Sequence, residues 1–221
     1  MESYNTVQTS DLRLFSNRCM AVVGPTQSGK TEYVKRFIQY RDKIFRIPPK
    51  RVIWYYGGYQ PTLHKDLLKL GLIVKHGLPN EQDLLERDLL VLDDLLLESV
   101  NSSETTQLFT RAAHHRNCFI IFISQNLFSP GSQSRTRRLN THYFLLFKNP
   151  SDRSQISYFA RQQFPKHSQV FIDMYNDATA IPYTPFFIDA TQDTPDKLRF
   201  RSNILPDDPQ PYTLYIPHVK H

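Results

Sequence analysis

Two cysteines in 221 residues exclude a disulfide-stapled scaffold, and no apolar run approaches the roughly 20 residues that a membrane-spanning helix needs. Cys19 and Cys118 each open an apolar stretch, so they read as small core residues and not as a disulfide or metal pair. The polar start MESYNTVQTSD has no apolar stretch of the kind a secretory leader carries, which predicts a soluble protein of a reducing, intracellular compartment with no membrane partner. No internal repeat is present. The histidine pair in HHR (His114 to Arg116) has no acids or cysteines at metal-ligand spacing and is assigned to helix-end chemistry. Disorder is excluded as well: hydrophobic residues make up 40% of the chain and charged residues 22%, enough apolar material for one large domain.

What is present begins with charge. The net charge of +6 is unevenly spread. Lys35 to Arg51 holds seven basic residues against Asp42, and residues 131–170 hold seven more against Asp152. Glu81 to Glu104 reverses the balance, with eight acids and Arg87 alone in opposition. Solvated helix faces and a surface turned toward a polyanion both fit this pattern.

Short, nearly continuous apolar runs recur as CMAVVG from Cys19, RVIWYY from Arg51, LLVLDD from Leu89, CFIIFIS from Cys118 and HYFLLF from His142, with a weaker LIVKH from Leu72. Such runs suit strands covered on both faces. Between them, KTEYVKRFIQY puts Tyr33, Val34, Phe37 and Ile38 on one helical face, and ETTQLFTRAAHH does so with Leu108, Phe109, Ala112 and Ala113. Asn101 and Glu104 outline a capping box for that second helix. A third helix is expected around Ile156, Phe159 and Ala160. Alternating strands and helices predict an α/β domain with a mainly parallel sheet over residues 19–180, after an N-terminal segment 1–18. Eight of 15 prolines lie at or beyond Pro165, so residues 181–221 are expected to form an irregular extension.

GPTQSGKT (Gly24, Pro25, Thr26, Gln27, Ser28, Gly29, Lys30 and Thr31) matches the full G-x-x-x-x-G-K-[ST] pattern, which arises by chance in about one chain in a hundred of this length. It follows a strand-like MAVV and opens an amphipathic helix, the context in which loop N–H groups surround phosphate oxygens at the positive end of a helix. Lys30 is expected at the β and γ phosphates and the Thr31 hydroxyl at Mg2+, which makes ATP and Mg2+ the expected ligands.

That site gives a reason for the adjacent acids Asp93 and Asp94 that end an aliphatic run. Asp93 can deliver a carboxylate to the metal, whose charge offsets the desolvation of the anion, and Asp94 can polarise the attacking water. The run ending in Ser124, Gln125 and Asn126 offers an amide to sense the γ phosphate, Gln125 first and Asn126 second. This order of motifs points to P-loop ATPases with an additional strand between the phosphate-loop strand and the acidic strand. It argues against a nucleotide kinase. SQSRTRRLN concentrates Arg135, Arg137 and Arg138, which suits an arginine acting on a neighbouring subunit's nucleotide, DNA phosphates, or a solvated loop.

GPTQSGKT, VIWYYGGYQP, LLVLDD, FTRAAHHRN, FISQN, RTRRLN and FKNPSDRSQISYFARQQFP together resemble the A32-like packaging ATPases of the FtsK/HerA superfamily, in particular the compact form of Maverick/Polinton elements and adintoviruses. The likeness spans about Cys19 to Pro165. It implies a homo-oligomeric ring that hydrolyses ATP to move double-stranded DNA into a viral capsid, with a capsid or portal vertex protein as partner, at a nuclear or cytoplasmic assembly site. It further implies Lys30 and Thr31 as nucleotide and Mg2+ contacts, Asp93 as metal carboxylate, Asp94 as catalytic acid position, Gln125 as sensor and Arg135 as the trans-acting arginine. One departure is that the superfamily often has Asp-Glu where this chain has Asp93-Asp94. Two other functions remain open at this point: a nucleoside or nucleotide kinase, and a non-catalytic DNA-binding assembly protein that keeps a nucleotide for structure.

Overall fold

The computed structural model describes residues 3–8, 12–93, 95, 112–113, 116–128 and 140–218. Its strands are β1 (Ser3–Gln8), β2 (Cys19–Val23), β3 (Arg51–Tyr56), β4 (Ile73–His76), β5 (Asp88–Asp93), β6 (Phe119–Ser124), β7 (Tyr143–Leu146), β8 (Phe186–Asp189), β9 (Phe200–Ser202) and β10 (Thr213–His218). The helices are α1 (Lys30–Gln39), a short α2 (Arg41–Ile44), α3 (Pro61–Lys69), α4 (Arg153–Gln163) and α5 (Ser168–Ala178). All ten strands join one sheet in the order β1-β10-β9-β8-β7-β2-β6-β5-β3-β4. The six from β7 to β4 run parallel, and β8, β9, β10 and β1 continue the sheet antiparallel. This is an α/β fold with a central mainly parallel sheet, and β6 is the additional strand between β2 and β5.

The apolar runs form strands because both of their faces are covered. Successive residues of β5 and β6 alternate between two cores: Leu89, Val91, Phe119, Ile121 and Ile123 pack on one side, Leu90, Leu92, Ile120 and Phe122 on the other. The first side also receives Tyr33, Val34, Phe37 and Ile38 of α1, the four residues that the helical spacing singled out. Opposite β7 and β8, Ile156, Phe159 and Ala160 of α4 join Val170, Phe171, Met174 and Tyr175 of α5 over Phe144, Leu146, Phe186 and Ile188. Each fully buried Leu, Ile or Phe contributes about 1.5–3 kcal/mol, so these layers dominate the stability of the sheet. The Asn101–Glu104 cap and Leu108 and Phe109 lie outside the described residues; Ala112 and Ala113 are buried as expected.

The C-terminal region corrects the expectation of an irregular extension. Residues 181–218 supply β8, β9 and β10, and the N-terminal segment supplies β1, paired to β10 from Ser3↔His218 to Gln8↔Thr213. The prolines misled because they flank these strands. Pro182, Pro185 and Pro195 lie in the connections, and Pro217, which has no N–H to donate, sits in β10 next to the edge strand. The strand β9 has three residues and β8 has four, too short for a period to register. The structure adds α5, which buries Val170, Phe171, Met174, Tyr175 and Ala178 at helical spacing.

A buried ion pair holds this antiparallel wing together. Asp189 accepts from Arg201 Nη2 at 2.9 Å, from Thr194 Oγ1 at 2.9 Å and from Thr191 Oγ1 at 2.6 Å, while Arg201 Nε donates to the Leu198 carbonyl at 2.7 Å. Both charged side chains are at most 5% exposed. Removing one partner leaves the other charge buried, so Asp189→Ala is expected to lower the unfolding free energy by about 3 kcal/mol in urea titration. A loss under about 1 kcal/mol would show that the wing does not depend on the pair.

The cysteines occupy the places expected of core residues. Both are buried and free, and burial pushes the Cys19 thiol up to about 12 and the Cys118 thiol up to about 11. Neither is expected to react with a thiol reagent at neutral pH until the protein is unfolded, because the thiolate is the reactive form. A stoichiometric native reaction would contradict their placement.

Candidate functional site

The site assembles at the carboxyl edge of the parallel strands. The strand β2 ends at Val23, whose partner in β6 is Ser124, and the Gly24 amide donates to the Ser124 carbonyl at 3.2 Å. One strand further, Asp93 pairs with Ile123 of β6 and with Tyr56 of β3. Register therefore places Asp93 level with Val22, roughly 10 Å away across β6. Parallel strands all present their carboxyl ends to one side, so the phosphate loop, the acidic strand end and the Ser124-Gln125-Asn126 turn share one edge.

From Gly24 the chain turns through Pro25, Thr26, Gln27 and Ser28, and α1 begins at Lys30. Gly29 sits at φ 91°, in the left-handed region that glycine alone enters freely, and Gln27 is there too at 64°. Gly24 is required for a different reason. A Cβ at this position would stand 2.6 Å from Phe147 Cβ and 2.8 Å from Ser28 Oγ. The loop thus presses against the end of β7. Lys30 is buried, and its ammonium donates to the Gly24 and Pro25 carbonyls at 2.7 Å each, which holds the charge inside the loop. Thr31 follows in the first turn of α1.

These residues fit a phosphate chain with a hard divalent cation. The Ser28 hydroxyl oxygen is buried and has no hydrogen-bond partner among the described residues, so the loop holds a polar atom that a ligand could satisfy. The Thr31 hydroxyl and the Asp93 carboxylate supply the oxygen chemistry that Mg2+ takes. Asp93 is 8% exposed at the end of β5. Asp88 at the other end of β5 is more deeply buried, but its two oxygens are held by Arg51 at 2.6 and 2.9 Å, which marks it as structural.

At the turn after β6, Asn126 is committed to local structure. Its backbone N–H donates to Ser124 Oγ, and its side-chain oxygen accepts from Gln155 at 3.1 Å. Gln125 is exposed on the same edge. Asp94, Arg135, Arg137 and Arg138 lie outside the described residues, as do His114 and His115.

The sequence reading missed the contribution of the C-terminal region to this site. The ring of Tyr183 lies on Gly29, within 3.0–3.5 Å of where a Cβ would be. Further along α1, the Arg36 guanidinium binds Asp207 with two hydrogen bonds at 2.7 and 2.9 Å and Asp208 at 2.8 Å. Tyr33 donates its hydroxyl to Asp208 at 3.0 Å. The paired acids in LPDDP were the available signal, but nothing local shows that their partner stands 171 residues away. This clamp ties the loop before β10 to the helix that starts at the phosphate loop.

No protein-family model and no curated protein matches the chain. Among solved structures, the flagellar accessory protein FlaH from Methanocaldococcus jannaschii is similar over 60% of this chain and 71% of its own, at 14% identity and a TM-score of 0.42. The assignment of the fold rests on strand order and loop geometry.

Burial pushes the Asp208 carboxyl up from its ordinary 3.8, against the pull of its hydrogen bonds to Leu205 N–H, Tyr33 and Arg36. The folded state thus holds the Asp208 proton more tightly than the unfolded state. The stability this confers is complete below 3.8 and is lost as pH rises through the raised value. Asp207, held down by Arg36, has the opposite slope: its contribution is present above 3.8 and fades as pH falls through its lowered value. Asp208→Asn is therefore expected to lose less stability than the wild type as pH rises from 3.8, in urea titrations over a pH series. Parallel stability curves for the two proteins would remove Asp208 from the account.

Proposed function

We propose that the chain is a Mg2+-dependent ATPase that acts as a homo-oligomeric ring and drives double-stranded DNA into a viral capsid, inside the host cell. The observation that carries this reading is the strand order. With β6 between β2 and β5, the phosphate loop and Asp93 are held on either side of a third strand, and the exposed Gln125 follows directly after that strand's last residue, Ser124. This arrangement supports a hydrolytic motor over a nucleoside kinase. The resemblance of the motif set to packaging ATPases supplies the DNA and the capsid.

In this reading the loop N–H groups and Lys30 bind and orient the phosphates, and burial of Lys30 strengthens its charge by excluding water. Thr31 and Asp93 would hold Mg2+, which would supply charge to offset that of the phosphates. Asp94 takes a proton from the attacking water and Gln125 hydrogen-bonds near the γ phosphate, so that loss of that phosphate changes what the β6 end can bind. Arg135 of an adjacent protomer contributes positive charge to the transition state. Hydrolysis is coupled to a swing of basic loops that grip DNA phosphates.

Steady-state ATP hydrolysis with Mg2+, with and without linear duplex DNA at two salt concentrations, tests the reading. DNA is expected to stimulate turnover, and the stimulation is expected to weaken with salt because DNA binding releases counterions. Lys30→Ala and Asp94→Asn are each expected to lower turnover by about 100-fold or more. A Lys30→Ala protein at the wild-type rate would end the ATPase reading. Turnover indifferent to DNA would remove the motor and leave a kinase or an assembly protein.

A further inference from the structure

The turn from α5 into β8 carries an aromatic residue in a conformation that costs stability. Ile181 to Thr184 closes with Thr184 N–H donating to the Ile181 carbonyl at 3.3 Å, Pro182 at the first central position and Tyr183 at φ 66° in the second. A turn with proline first and positive φ second is ordinarily finished by glycine or asparagine. Tyrosine there is strained, and such strain persists where the side chain is put to use.

The side chain reaches the phosphate loop. One edge of the ring rests on Gly29, yet Tyr183 remains 68% exposed, so most of its π surface is not consumed by packing. It forms one wall of a groove of about 520 Å³ that Gln27, Gly29, Thr31, Glu32 and Arg36 complete. The groove runs from the phosphate loop along the first turns of α1. A nucleotide whose phosphates lie in the loop can extend its sugar and base into this space. Arg36 is clamped by Asp207 and Asp208 and so acts as a fixed wall.

We propose that Tyr183 is the platform on which the base of a bound nucleoside triphosphate stacks, making it a substrate-binding residue contributed by the C-terminal region. This rests on the nucleotide-binding reading above. The chemistry needed is a flat, exposed aromatic face at the mouth of the phosphate site, and stacking of a base on such a face is tolerant of base identity but stronger for the larger purines.

The test compares ATP with tripolyphosphate, which has the phosphates and no base, by calorimetric titration of the full chain with Mg2+. Tyr183→Ala and Tyr183→Gly are expected to weaken ATP binding about tenfold and to leave tripolyphosphate binding within about twofold, while Tyr183→Phe keeps both. Because glycine relieves the positive φ, Tyr183→Gly is also expected to melt no lower than the wild type. If the wild type binds both ligands and Tyr183→Ala changes neither, the base platform is wrong and the phosphate site stands. If Tyr183→Ala loses both ligands alike, or Tyr183→Gly melts lower and loses both, the ring supports the loop structurally and the proposal falls. If the wild type binds neither ligand, the nucleotide-binding reading fails and takes the platform with it.

Discussion

The close approach of Gly24 to Phe147 is the constraint on which the candidate site depends. With 2.6 Å between a hypothetical Cβ and the Phe147 Cβ, no other residue lets the chain leave β2 and turn at this point. The same backbone step donates from Gly24 to Ser124, which ties the loop to the end of the additional strand. Loop position, β6 and β7 are therefore set together. A loop held on both sides in this way can keep its N–H groups aimed without waiting for a ligand, and preorganised donors are what make a phosphate site effective.

Charge is handled differently at the two ends of β5. Asp88, at the amino end, is neutralised by Arg51 and also accepts from the Leu85 N–H at 2.7 Å, so its burial is offset locally. Asp93, at the carboxyl end, lies on the edge where the phosphate loop opens. A sheet of parallel strands makes this distinction structural. One end collects connections and salt bridges, and the other collects the groups that face a ligand. The Asp189–Arg201 pair follows the logic of Asp88, with each carboxylate oxygen accounted for by hydrogen bonds.

The antiparallel wing changes the meaning of the C-terminal region. Its strands extend the sheet beyond β7, and its connections return once to the phosphate loop, through Tyr183 on Gly29, and once to α1, through Asp207 and Asp208 on Arg36. Movements of α1 would therefore reach the wing through a salt-bridged clamp. Coupling of this kind needs a physical link, and the clamp provides one between the loop and the edge of the sheet.

By itself the sequence determined the parallel core and the phosphate loop. The apolar runs around Met20, Ile53, Val91, Ile121 and Phe144 are dense enough to show strands buried on both faces, and the helical spacing of Tyr33, Val34, Phe37 and Ile38 names the face that α1 buries. Both signals are local, so they are legible without a fold. Tertiary structure alone decided that the Asn126 side chain is taken up by Gln155 and that β8, β9 and β10 of residues 181–218 belong to the sheet. Strands of three or four residues between prolines carry too little pattern to be read locally. They hold because neighbours distant in the chain supply their hydrogen bonds and cover, and the same long-range closure brings Tyr183 to Gly29 and Asp208 to Arg36.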